Sequence, residues 1–139
     1  MLAKIGEVEI WRMLESVTPL RPLKTFFPAL EPEMLVAVRP SLPPGALWRH
    51  PETGEDWLQI VVQGFLLKTP GRTILVDACV GNHKSIPHLP QWNDQRGGRF
   101  IASLAAAGVA PEEVDCVMCT HFHVDHVGWT TSLRDGRWV

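Results

Sequence analysis

What this sequence lacks narrows what it can be. No apolar run approaches the roughly 20 residues of a membrane span. The opening Met1-Leu2-Ala3-Lys4-Ile5-Gly6-Glu7 has neither the basic start nor the apolar stretch of a secretory leader. With Met1 as the true start, the cytoplasm is the expected compartment. Basic residues are not in excess: a formal net charge of −2 gives no electrostatic reason to expect DNA, RNA or an anionic membrane as partner. Cys79, Cys116 and Cys119 are an odd count and too few for a disulfide framework. The chain contains no H-E-x-x-H, no G-x-S-x-G and no phosphate-cradling G-x-x-x-x-G-K-[ST]. No internal repeat or low-complexity segment is found.

What is present is an ordinary globular composition. At 139 residues the chain fits one domain, and 45% apolar against 20% charged residues argues against disorder. Residues 5–14 alternate Glu7 and Glu9 with Val8 and Ile10, which predicts a half-exposed strand. Eight prolines fall between Pro19 and Pro51. Residues 18–51 should therefore be mostly irregular, with at most a short helix at Glu31–Val38 that carries Pro32 in its first turn. This stretch is either a substrate-facing loop or a wrap over the core. Trp57–Lys68 and Thr73–Ala78 read as strands joined at Pro70-Gly71 into a hairpin. Asn93 or Asp94 can cap a helix that becomes clear at Arg99–Ala107 and ends at Gly108, with Gly97-Gly98 a flexible turn before it. Val114–Cys119 then reads as a buried strand. Helix, short loop, strand and polar loop form an α/β pattern, with the candidate site past the carboxyl end of a strand.

Cys116 and Cys119 form a C-x-x-C. Residues three apart on a strand point to opposite faces, so the two sulfurs should diverge. Core cysteines are the expected reading, not a metal pair.

Three of the six histidines lie within residues 121–126, together with an aspartate, in Thr120-His121-Phe122-His123-Val124-Asp125-His126. If the chain stays extended after Cys119, His121 and His123 project to one side and can chelate one ion. Asp125 and His126 follow where the chain turns, and can point at a second position close by. Phe122 and Val124 would then face the core. Imidazole and carboxylate suit zinc, and also iron or manganese. Gly128 allows a close backbone approach, while Trp129 either lines a pocket or packs.

The run His121-x-His123-x-Asp125-His126 resembles the H-x-H-x-D-H signature of the metallo-β-lactamase superfamily. TILVDACVGN (73–82) resembles its strand and loop that carry an aspartate near the metals. GVAPEEVDCVMCTHFHVDHVGW (108–129) resembles the helix–strand–metal-loop unit of the lactonase-like and organophosphate-hydrolase-like branches. The resemblance implies an α/β (α+β) fold, the N-terminal half of an αββα sandwich with a mixed sheet and flanking helices. Residues 1–139 would be one partial domain, with its metal-binding loop at 120–128. It further implies that His121 and His123 hold a first metal and Asp125 and His126 a second, two Zn2+ ions in the complete enzyme. Asp125 would also orient or deprotonate the attacking water. Asp77 would support the site from behind, or cap backbone amides at its strand end. Thr120 would steady a ligand through its hydroxyl or make a simple backbone hydrogen bond.

The superfamily also uses a third histidine for the first metal, a bridging aspartate and a last histidine, all from later in the chain. Nothing after His126 supplies them, and His50, His83 and His88 read as loop histidines. Leu133–Val139 carries an Asp-Gly hairpin signal and stops as the return strand begins. The chain is thus expected to be an N-terminal fragment with exposed sheet. The function implied is hydrolysis of a small lactone or ester by metal-bound hydroxide. The alternative is a non-catalytic metal-binding module that self-associates through its open sheet. RNA processing would need a basic surface that the composition does not provide.

Overall fold

The computed structural model describes residues 1–139. Strands β1 (Ala3–Ile5), β2 (Val8–Pro22), β3 (Leu47–Arg49), β4 (Asp56–Lys68), β5 (Thr73–Val76) and β6 (Cys116–Met118) form a mixed sheet. Its order is β1-β2-β4-β5-β6, with β3 on β4. The chain divides into two units, Met1–Ser16 with Val62–Val139, and Val17–Val61. Both β2 and β4 run from one unit into the other. No helix is long and apolar enough to cross a membrane.

The first unit starts as a hairpin. The sequence pattern predicts one strand over residues 5–14, but Gly6 takes a left-handed φ of 58° and turns the chain, so β2 begins at Val8 and pairs antiparallel with β1. β4 and β5 form the predicted hairpin, in register from Phe65 against Val76 to Lys68 against Thr73. The Thr69 amide donates to the Arg72 carbonyl across the Pro70-Gly71 turn. β5 then pairs in parallel with β6, and Leu75 lies opposite Val117. A parallel pair needs a crossover, which includes helix α3 (Arg99–Ala106). Phe100 and Leu104, one turn apart, are the buried residues of α3 and join Met13, Leu66, Leu75 and Val80 in the core.

Two expectations fail in this region. Neither Asn93 nor Asp94 caps α3, whose N-cap is Gly98 with no side-chain bond. Asn93 instead accepts the Ile86 amide at 2.7 Å, and Asp94 pairs with Arg96. β6 is not buried either: Cys116, Val117 and Met118 are all exposed. Its apolar character is that of a terminal strand, paired on one side only. Cys116 is accordingly no core residue, Cys119 is half-buried, and Cys79 alone of the three is buried. Beyond β6 come a one-turn helix α4 (Val124–Val127) and a hairpin of β7 (Leu133–Arg134) and β8 (Arg137–Trp138). Asp135 and Gly136 at its turn both take positive φ, 49° and 75°, as the primed two-residue turn requires.

The second unit holds most of the proline-rich stretch. β2 continues through Pro19 to Pro22, past the point where proline content predicts irregular chain. Proline is accommodated at strand ends or where its nitrogen faces off the ladder. A short turn, α1 (Leu23–Phe26), precedes α2 (Pro32–Val38), which matches the predicted helix with Pro32 at its start. β3 pairs antiparallel with β4, Trp48 facing Trp57. His50 packs on Trp57 with ring centroids 5.4 Å apart, and its Nδ1 accepts the amides of Glu52 and Thr53. That is the loop role expected for it.

Candidate metal centre

The site is built where two chain segments meet past the ends of β5 and β6. Beyond Val76 the backbone turns sharply, with Asp77 at φ 60° and Cys79 at φ 48°. Such left-handed conformations are costly for residues other than glycine, and persist where surrounding contacts impose them. Here the contacts are backbone hydrogen bonds to the region around α4. The Ala78 amide donates to the His126 carbonyl (2.7 Å), Gly128 to Cys79 (2.7 Å) and Trp129 to Ala78 (2.8 Å). The close approach predicted at Gly128 is present, since a Cβ there would lie 1.7 Å from the Val80 carbonyl oxygen.

Asp77 is the hub of the side-chain network. It accepts the Thr120 amide at 2.8 Å and the Thr120 hydroxyl at 2.9 Å, and its Oδ2 lies 3.0 Å from His126 Nδ1. Both sequence readings of Asp77 are therefore present, an acceptor for a backbone amide and a support behind a histidine. Burial alone would raise its carboxyl pKa. The Thr120 amide, the His126 ring and the Thr120 hydroxyl outweigh that and hold it below the usual carboxylate range. An imidazole whose Nδ1–H donates a hydrogen bond to a carboxylate presents its Nε2 lone pair outward. His126 Nε2 lies 3.4 Å from Asp125 Oδ2.

His121 is the middle ring of the cluster. Its centroid is 3.9 Å from that of His126 and 4.5 Å from that of His123, and its Nε2 is 3.0 Å from His123 Nδ1. Thr120 Oγ1 lies 3.2 Å from His121 Nδ1. These contacts arise differently from the sequence expectation. The segment after Cys119 bends at Thr120, His121 and His123 and is not extended. Phe122 is consequently 87% exposed instead of facing the core. Asp125 and His126 lie on α4, the expected turn into a helix.

The close contacts run in pairs, and no three His, Cys, Asp or Glu side chains are arranged as one metal-holding group. The donor chemistry nevertheless suits a divalent cation of the zinc type. The 3.0 Å between His121 Nε2 and His123 Nδ1 is a few tenths of an ångström short of the ~3.3 Å that separates two nitrogens on one tetrahedral ion with bonds of about 2.0–2.1 Å. Small ring rotations would close that difference. His50, His83 and His88 take no part.

Two residues beside the cluster, Glu15 and Cys79, carry weight that the sequence pattern does not give them. Trp129 packs: its ring stacks on Phe100 at 5.2 Å and 7°. Its indole N–H donates to Glu15, a residue the motif does not reveal. Period-two register on β2 sets Glu15 in phase with buried Met13 but also with Glu7 and Glu9, so the sequence pattern alone does not mark it as buried. Cys79, buried two positions after Asp77, has its thiol pKa pushed far up by burial and by the charges of Glu15, Asp77 and Asp125. A cleft of about 370 Å³ adjoins α4, lined by Val80, Lys84, Ile86, Val124, Val127 and Trp138 among others.

Residues 59–139 match the family model described as the metallo-beta-lactamase superfamily. The comparison with curated proteins gives no match. Among solved structures, the chain is similar to AidC, a dizinc quorum-quenching lactonase captured with a product, at 21% identity and a TM-score of 0.65. It is also similar to a probable metal-dependent hydrolase from Staphylococcus aureus (21%, TM-score 0.63) and to the hydrolase AbOPH of the beta-lactamase superfamily (22%, TM-score 0.63). These alignments cover 91%, 90% and 90% of this chain, but only 37%, 41% and 36% of the respective solved chains. At such identities the likeness concerns the fold. The chain spans well under half the length of these structures.

Proposed function

The chain belongs to the metallo-beta-lactamase superfamily, and we propose that it carries the motif-bearing part of a metal-dependent hydrolase acting on a lactone or related ester. The observation that carries this reading is the orientation of His126. Its Nδ1 is held by Asp77 at 3.0 Å, which leaves Nε2 beside the Asp125 carboxylate, with the ring centroid 3.9 Å from that of His121. In this reading His121 and His123 would hold one metal, and Asp125 and His126 a second. Zinc is the favoured ion, and iron or manganese also suits these donors. When bound, the metal supplies activation of water at neutral pH and polarisation of the substrate carbonyl.

The chain's own groups supply the rest. Asp77 and Thr120 fix the tautomer and tilt of His126, which a free loop histidine would not keep. Asp125 orients the attacking water and accepts its proton at Oδ2. Addition of that water across the acyl–oxygen bond of a lactone gives the hydroxy acid, and the proton ends on the departing oxygen. The apolar cleft beside α4 supports a substrate with a hydrocarbon portion. The likeness to a lactonase supports the choice of substrate class.

A second reading is a non-catalytic metal-stabilised module that self-associates. The pairwise geometry of the cluster favours it. Zinc titration of the full chain, together with a panel of lactones and aryl esters, separates the two. Nearly two tightly held ions and turnover support the hydrolase; less than one weakly held ion and no turnover support the module. His121→Ala should weaken metal binding by more than the ~10–100-fold typical of outer-sphere partners. Unchanged affinity in that variant would remove His121 from the ligand set.

A further inference from the structure

We propose that Glu15 is a positioning residue for the metal-binding segment, acting on Asp125 and His126 through the loop that follows β5. The inference rests on the metal reading above. Glu15 is 7% exposed, and all three of its partners are neutral N–H donors. Oε2 accepts the Val80 amide at 2.8 Å, while Oε1 accepts the Gly81 amide at 3.0 Å and the Trp129 indole at 2.6 Å. A buried carboxylate is retained only where its lone pairs are filled. Here the donors come from two segments far apart in sequence, Val80–Gly81 and Trp129.

Those segments are the ones that place the metal motif. α4 has four residues and no side-chain cap, so it cannot hold its own conformation. Its position is imposed by the bonds of Ala78 to His126, Gly128 to Cys79 and Trp129 to Ala78. The Glu15 carboxylate joins the same two segments through its own hydrogen bonds. It grips the Val80–Gly81 backbone, which packs against Gly128, and the Trp129 side chain, whose ring rests on Phe100. Removing it frees the loop and the C-terminal end of α4 together. Displacements of about 1 Å suffice to impair metal ligation.

Glu15→Gln is the direct test. A carboxamide keeps one acceptor oxygen and turns an NH2 group toward an amide that is itself a donor. In the full chain, zinc affinity should fall about 10–100-fold, as for partners that orient ligands. Hydrogen exchange at the amides of Ala78, Gly128 and Trp129 should accelerate, while exchange in the β4–β5 hairpin stays slow. Trp129→Phe removes the indole donor and leaves a smaller aromatic ring to stack on Phe100, so it should show a smaller loss of affinity in the same direction; it stands in if Glu15→Gln does not fold. Leu104→Ala serves as control, lowering stability without changing the affinity of the folded protein. Zinc affinity unchanged in Glu15→Gln, or in Trp129→Phe where the first variant is unfolded, overturns the proposal even if stability drops. A wild-type chain that binds no divalent ion overturns the metal reading and with it the role of Glu15 toward a metal. Exchange at Gly128 and Trp129 then still reports whether Glu15 fixes the segment.

Discussion

Asp77 combines a left-handed backbone with a carboxylate that serves three donors. Asn tolerates the same backbone region, so Asp77→Asn isolates the carboxylate from the turn. It should destabilise the protein by about 1–3 kcal/mol, read by urea denaturation, because a partly buried donor set loses a charged acceptor. Cys79 yields a second residue-scale prediction. Its thiol is buried and held protonated, whereas Cys116 is exposed. Iodoacetamide followed by mass spectrometry should modify Cys116 in the native protein and Cys79 only after denaturation. Rapid native labelling of Cys79 would contradict the packing described. At this scale the histidine cluster was legible because its three imidazoles all fall within residues 121–126. Glu15 was not, since its partner Trp129 lies 114 residues away and no local pattern links them.

Elements were legible where local chemistry sets them and illegible where neighbours do. The Pro70-Gly71 turn, Pro32 at the start of α2 and Gly108 after α3 mark their boundaries by backbone preference alone. The exposure of β6 depends on its place at the end of the sheet, and that of Phe122 on bends which no hydrophobic pattern encodes. The approach of Gly128 to Val80 is a prediction about elements, because it sets how closely α4 lies on the post-β5 loop. Gly128→Ala puts a methyl into backbone, which no rotamer change relieves. The loss should be at least about 3 kcal/mol, at the upper end of overpacking costs, measured by thermal or chemical unfolding. In α3, Leu104→Ala should cost about 2–5 kcal/mol through the cavity it leaves.

For the whole molecule, the sequence places the fold class and the motif but not the division into units. The proline-rich residues 18–51 fall within the unit Val17–Val61, which contains, besides the helix expected at Glu31–Val38, strand segments where the proline content predicts irregular chain. Metal binding, on the proposed reading, is a property of the folded chain. Zinc at about 100 times its Kd should therefore add ~2.7 kcal/mol of stability. A thermal melt should show this as a rise in Tm that a chelator reverses, and no rise would speak against the site.

The parallel pairing of β5 with β6 has a kinetic consequence. Thr73 and Asp115, bonded across that junction, are separated by 42 positions, and contacts of such long range form late because loop closure must precede them. The histidine segment should acquire native order only after the β4–β5 hairpin is already in place. A chain cut between Asn82 and Gly98 would then rebuild its histidine segment only as fast as two separate pieces meet, so the refolding of that region would become dependent on protein concentration.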